Sequence, residues 1–225
     1  MPFLGEWPLA LALVVMAGVL LFDRHLVRAC AVFVLFALTV AVAWWQLGFV
    51  LLAVLEVLLG AVLTGAFLFL ALGIRRGGVA PRGRLARWRD PVPLTRRRGL
   101  ARLLPALVAM GMLGLALATL PEARRGSDPL GLAGMALLGL GLWAFALHRH
   151  LLRRLLAFNV IGTGIFLLLI SLVRDTAPAA GTGLVITGLV VALLGTALGA
   201  LLIRRLNALD GRRVMKTAGS GGAAS

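Results

Sequence analysis

Cysteine occurs once in this 225-residue chain, at Cys30, and acidic residues occur only eight times. A single cysteine excludes an internal disulfide and any cysteine-built metal or iron–sulfur centre. Seven of the carboxylates, Glu6, Asp23, Asp90, Glu122, Asp128, Asp175 and Asp210, fall between apolar runs or at their ends, and Glu56 is the exception. There is no P-loop, no dinucleotide glycine fingerprint, no Ser-His-Asp arrangement and no metal-ligand cluster. With so few catalytic side chains the chain is expected not to be an enzyme by itself, and to hold no cofactor or metal. The opening MPFLGEWP has no basic stretch and carries Glu6, which argues against a cleaved signal peptide. No run alternates polar and apolar residues with period two, which argues against a membrane β-barrel. No strong internal repeat of the transporter kind is present.

What the sequence does have is apolar length. It is 61% hydrophobic, with a mean hydropathy of +1.02, against about half apolar for a soluble domain. The excess lies in runs of Leu, Ala, Val and Gly long enough to cross a hydrocarbon core about 30 Å thick. Inside lipid the backbone must satisfy its own hydrogen bonds, so each run is expected to be helical. The expected fold is all-α: a polytopic membrane protein of about seven transmembrane helices, at 7–22, 26–45, 47–74, 100–120, 130–147, 151–173 and 183–203. With the N-terminus outside, 20 of the 23 Lys and Arg fall on one side, and only Arg124, Arg125 and Arg174 on the other. The positive-inside rule then places the loop at 75–99 and the C-terminus in the cytoplasm. The same rule accounts for the net charge of +15, which in a soluble protein would point to a nucleic-acid partner. Lipid is expected as a partner and nucleic acid is not.

The loop between the third and fourth spans, IRRGGVAPRGRLARWRDPVPLTRRRG, carries Pro81, Pro91 and Pro93 and cannot be one continuous helix. Its RGRLARW stretch at 82–88 could lie at the interface, with Trp88 at headgroup depth and arginines near anionic lipid. A solvated or lipid-facing loop is the plain reading, with protein or nucleic-acid docking as the alternative. The tail after Asn207 is small and polar, a composition that reads as disordered.

Glu56 lies inside the third span. A charge there costs at least about 2.5 kcal/mol on insertion scales. No Lys or Arg lies in the same span, so the expected outcomes are a protonated carboxyl or a polar partner on another helix or subunit. Intramembrane carboxyls are steps of proton and cation paths; they also occur as neutral, hydrogen-bonded groups that only hold helices together. Gly60, Ala61, Thr64 and Gly65 follow at three- to four-residue spacing, a small face for close helix packing. A glycine-rich span of this kind can also bend or carry a π-bulge. In the sixth span Asn159 and Thr163 are four apart and share a face, with Ser171 farther on. Asn159 needs partners for its amide in lipid. Thr187 and Thr196 are the polar residues of the seventh span, and such hydroxyls often bond back to their own backbone. His148 and His150 flank Arg149 at the cytoplasmic end of the fifth span, as proton relays or as ordinary boundary histidines. Trp44 and Trp45 read as aromatic-belt anchors.

Two stretches resemble known families. Residues 23–72 resemble the MbhD-like domain of membrane-bound hydrogenases, which also forms the C-terminal part of the large Mrp antiporter subunit. Leu47, Gly48, Glu56, Gly60, Ala61 and Thr64 match its pattern without gaps; Val50 and Leu51 stand where that family carries Pro-Asp. Residues 139–206 are similar to the three-helix MrpC-type subunit, related to the smallest antiporter-like subunit of complex I. The matching features are a Gly-rich helix, the Arg-flanked turn at 148–154, a polar residue early in the next helix, and LVIT opening the last. In complex I that early polar residue is a Glu; here it is Asn159, which cannot carry a proton as a carboxyl would. The resemblance divides the chain into an MbhD-like module at 1–74, the Arg-rich loop at 75–99, an MbhE-like linker helix with an outer loop at 100–129, an MrpC-type module at 130–206 and a tail at 207–225.

The function this implies is that of an accessory subunit in a multisubunit Mrp-type cation/proton antiporter or complex-I-like assembly, in a bacterial or archaeal cytoplasmic membrane. Larger antiporter-like membrane subunits would be its partners. The ion-path candidates are Glu56, Asn159, Thr163, Thr187 and His148. The alternatives are a subunit resembling component E of the hydrogenase-4 and formate hydrogenlyase complexes, whose redox cofactors would belong to partner subunits, or a purely structural adaptor.

Overall fold

In the computed structural model, residues 3–72, 103–118, 128–148, 150–173 and 177–221 are described, and every element among them is helical. Helices α1 (Phe3–Phe22), α2 (Leu26–Gln46) and α3 (Val50–Ala71) form the N-terminal part. After the interval come α4 (Leu103–Ala118), α5 (Pro129–Leu147), α6 (Leu151–Val173) and α7 (Pro178–Gly221). Five of these, α2, α3, α5, α6 and α7, contain stretches long and apolar enough to cross a membrane, and α1 contributes a shorter apolar helix, Glu6–Phe22. The chain is therefore a multi-pass membrane protein. The loop at 75–99, with its 82–88 segment, lies outside the described residues.

The α1–α2 and α2–α3 connections and the start of α5 show their local chemistry. Asp23 ends the first turn: its carboxylate accepts from the His25 N–H at 2.9 Å and pairs with Arg28 at 3.2 Å. Between α2 and α3, Gly48 takes φ +83°, a left-handed conformation that a side chain would disfavour. Its N–H donates to the Trp45 carbonyl and that of Phe49 to the Trp44 carbonyl, the paired bonds of a Schellman end. Asp128 caps α5 by accepting from the Leu130 N–H, with Pro129 at the first helical position, where its missing N–H costs nothing.

Lipid supplies little hydrophobic drive between helices, so close approach of small residues has to hold the bundle together. Helices α5 and α6 meet at Gly134 and Gly164, where a Cβ on Gly164 would lie 2.7 Å from the Gly134 carbonyl oxygen. Gly188 lets the Phe166 ring come against α7. Helix α1 packs on both α2 and α5, while α3 packs on α2 and α7, so the N-terminal and C-terminal halves share one core. The outward faces are apolar, for example Leu11, Met112, Leu115 and Leu198, as suits a surface in contact with lipid.

Two expectations differ from what is found. Helix α7 does not end near residue 203 but continues to Gly221, because no proline interrupts it and Arg, Leu, Ala, Met and Lys are good helix formers. Trp44 and Trp45 are not alike. Trp45 is exposed, whereas Trp44 is fully buried, since consecutive helical residues point about 100° apart.

Candidate functional site

Glu56 begins a stretch of α3, Glu56–Thr64, whose backbone is π-helical rather than α-helical. The step of five is visible in the side chains. Buried residues pass from Glu56 to Ala61, and the Thr64 hydroxyl donates to the Leu59 carbonyl at 2.7 Å, five residues back. The wider turn brings Glu56, Gly60 and Thr64 to one side of the helix, where they face α6 and α7 across a cavity of about 20 Å³. That is room for about one water molecule. Phe33, Phe36 and Ala37 of α2 line it from one side; Asn159, Gly162, Thr163 and Phe166 of α6 and Leu189, Ala192 and Leu193 of α7 from the others.

Glu56 is 5% exposed. It is the only titratable residue among those lining the cavity, and no ion pair to it occurs among the described residues. The side chain lies back along its own helix, and a Cβ on Gly60 would meet Glu56 Oε1 at 2.3 Å. Only glycine leaves that space. On α2 the Trp44 indole nitrogen is a buried donor that makes no hydrogen bond of ordinary geometry among the described residues. Leaving such a donor unpaired costs about 1–3 kcal/mol, so its position calls for an explanation.

Across the cavity, the Asn159 amide spends both its N–H groups, one on the Leu155 carbonyl at 2.9 Å and one on the Thr196 hydroxyl at 3.0 Å. Thr196 is fully buried and returns toward Asn159 Oδ1 at 3.3 Å and to the Ala192 carbonyl at 2.8 Å. Thr163 donates to the Asn159 backbone carbonyl at 3.2 Å. The hydroxyl protons of Thr64 and Thr163 are thus used on their own helices, and their oxygens remain able to accept. Chemically, this is a carboxyl that can hold or release a proton beside hydroxyl oxygens, an amide and space for one water. Among the described residues no three of His, Cys, Asp and Glu come together.

Three of the five residues singled out from sequence, Glu56, Asn159 and Thr163, therefore line one cavity. The other two do not. Thr187 is exposed and bonds back to the Gly183 carbonyl at 2.9 Å. His148 is buried at another place, its Nε2 2.9 Å from the Leu21 carbonyl at the end of α1. Arg153, also buried, donates to that same carbonyl at 3.2 Å and to the Asp23 carbonyl. Sequence reasoning passed over Trp44 as a belt residue, and weighed Thr196 no more heavily than Thr187. The signal that separates the two threonines is their spacing: nine residues is about two and a half helical turns, which puts them on opposite faces.

No curated protein and no solved structure matches the chain. Residues 129–218, which form α5, α6 and most of α7 and so supply the Asn159 wall of the cavity, match the family described as NADH-ubiquinone/plastoquinone oxidoreductase chain 4L, a family of complex I-like small membrane subunits.

Proposed function

We propose that this protein is an accessory membrane subunit of a multisubunit ion-translocating assembly of the Mrp or complex-I-like kind, and that Glu56 is a station on its proton or sodium path. The observation that carries the reading is a buried carboxyl without a counter-charge among the described residues, set against a cavity whose far wall belongs to the stretch similar to chain 4L. Intramembrane carboxyls facing a bundle interior mark ion paths by default, since their insertion cost has to be offset by a use. In this reading seven helices cross a bacterial or archaeal cytoplasmic membrane, with the N-terminus outside and the basic loop and C-terminus inside. The two halves are an MbhD-like and an MrpC-type module in one chain. Larger antiporter-like subunits are the lateral partners, and the chain performs no chemistry alone.

The test is Glu56→Gln in the assembled complex. Loss of proton-coupled transport with normal assembly is the expected outcome. Undiminished transport would leave a structural adaptor, because Gln keeps the hydrogen-bonding capacity and loses only the titration. The subunits that co-purify separate the remaining alternative: hydrogenase components instead of antiporter-like ones would identify a component-E-like role.

A further inference from the structure

A helical side chain ordinarily covers the surface over the turn N-terminal to its own Cα. The surface beside Glu56 therefore falls to the side chain one turn farther along α3, and that residue is Gly60, which has none. The Glu56 carboxyl takes the place instead. The three atoms nearest to a Cβ built on Gly60 all belong to Glu56: Oε1, which it would overlap, Cδ at 3.0 Å and Cγ at 3.6 Å. Other glycines of the bundle meet a neighbouring helix, Gly65 against Val34 of α2 and Gly134 against Gly164 of α6. Close helix packing explains those two. It does not explain Gly60, whose missing side chain is replaced by the carboxyl of its own helix. Glu56 and Gly60 line the cavity together with Leu59 and Thr64.

We propose that Gly60 is a positioning residue for the Glu56 carboxyl: by carrying no side chain it lets the carboxyl lie along α3 beside the cavity. This rests on the reading of Glu56 as a station of the path, and it adds the residue that decides where that carboxyl stands. The atom that a methyl group on Gly60 would displace is the far end of a flexible side chain. The substitution is therefore expected to move the carboxyl and to leave the helices packed as they are. Gly65, five residues on in the same helix, is the matched control: its Cβ would press on Val34 Cγ2 at 2.8 Å and meets no atom of Glu56.

The test uses the full-length chain in lipid nanodiscs and, for transport, the assembled complex. Infrared difference spectra between acid and alkaline pH contain a Glu56 carboxyl band, identified by its loss in Glu56→Gln. Gly60→Ala is expected to shift that band, and Gly65→Ala to leave it in place. In the complex, Gly60→Ala is expected to slow proton-coupled transport on the order of tenfold, as misplaced reacting groups do, with Gly65→Ala close to the natural rate. Glu56→Asp supplies a double-mutant cycle. Its carboxyl is one methylene shorter and stops short of the place that the new methyl group would take, so Gly60→Ala should cost little further rate in that background. A glycine needed only for the backbone predicts the same loss with either acid. A band that ignores Gly60→Ala, or a loss of transport equal in both backgrounds, overturns the proposal. If Gly60→Ala alone does not accumulate, its combination with Glu56→Asp should; failure of both makes Gly60 a backbone requirement and overturns the proposal as well. If Glu56→Gln transports normally while the band shifts in Gly60→Ala, the path reading fails and the positioning stands. If Glu56→Gln abolishes transport while band and rate ignore Gly60→Ala, the positioning fails and the path reading stands.

Discussion

Among the described residues, Arg153 and Glu56 are charged side-chain types buried at two places in the bundle, and they are treated in opposite ways. At the end of α1, Arg153 is 2% exposed and its guanidinium is held by the carbonyls of Leu21 and Asp23, with His148 on the Leu21 carbonyl as well. The C-terminal end of a helix carries partial negative charge and carbonyls without intrahelical partners. A cation there is both neutralised and fixed, and it ties α6 to α1. At the cavity, Glu56 has no counter-charge among the described residues, and it has space beside it. A buried charge held by two backbone carbonyls at a helix end is a structural fixture. A buried carboxyl beside space for a water has what the proposed change of protonation needs.

The sharpest way to break this contrast is to exchange its consequences. Glu56→Gln should lower proton-coupled transport of the assembled complex by on the order of 10²-fold, as removal of a proton-transferring group does, while leaving thermal stability in detergent unchanged. A loss of stability in place of transport would make Glu56 a fixture like Arg153. Next, Arg153→Met should destabilise the bundle by about 1.5–3 kcal/mol, the size of charge-assisted hydrogen bonds left unmade, with transport falling only as far as assembly does. Arg153→Lys should lie between, because a single ammonium cannot span both carbonyls as the guanidinium does. Thr196→Val should cost about 0.6 kcal/mol, typical of a polar contact between membrane helices, read as a lower unfolding midpoint. Thr187→Val, on the exposed face, should stay within about 0.5 kcal/mol of the natural chain; equal effects at the two threonines would contradict the register between α6 and α7.

The contrast also marks how far the sequence could be read. The helices were legible because lipid permits little else for such long apolar runs. Glu56 was legible because one carboxylate stood where none is tolerated without a reason. Asn159 and Thr163 share a helical face by spacing alone, and the structure puts that face on the cavity. What was not legible depends on phase and depth. The π-helical step changes which residues of α3 share a side, and glycine content allows such a step without specifying it. Trp44 and Trp45 are chemically identical neighbours, and only the rotation of α2 decides which of them is buried. His148 sits at a boundary where exposure is the ordinary expectation, yet the end of α1 covers it. The helical continuation of α7 to Gly221 runs against a composition that reads as disordered.

The size of the cavity bears on the proposed path. At about 20 Å³ the space beside Glu56 has room for about one water molecule. A proton can cross such a space by moving between oxygens, with no atom heavier than hydrogen displaced. A sodium ion would have to shed nearly all its hydration shell and accept instead one carboxylate, two hydroxyl oxygens and the little else that lines the wall, a poor replacement beside the carbonyl rings that strip ions in selective channels. The dehydration cost therefore sets the two candidates apart: with the walls where they stand, the cavity admits a proton far more cheaply than a metal cation.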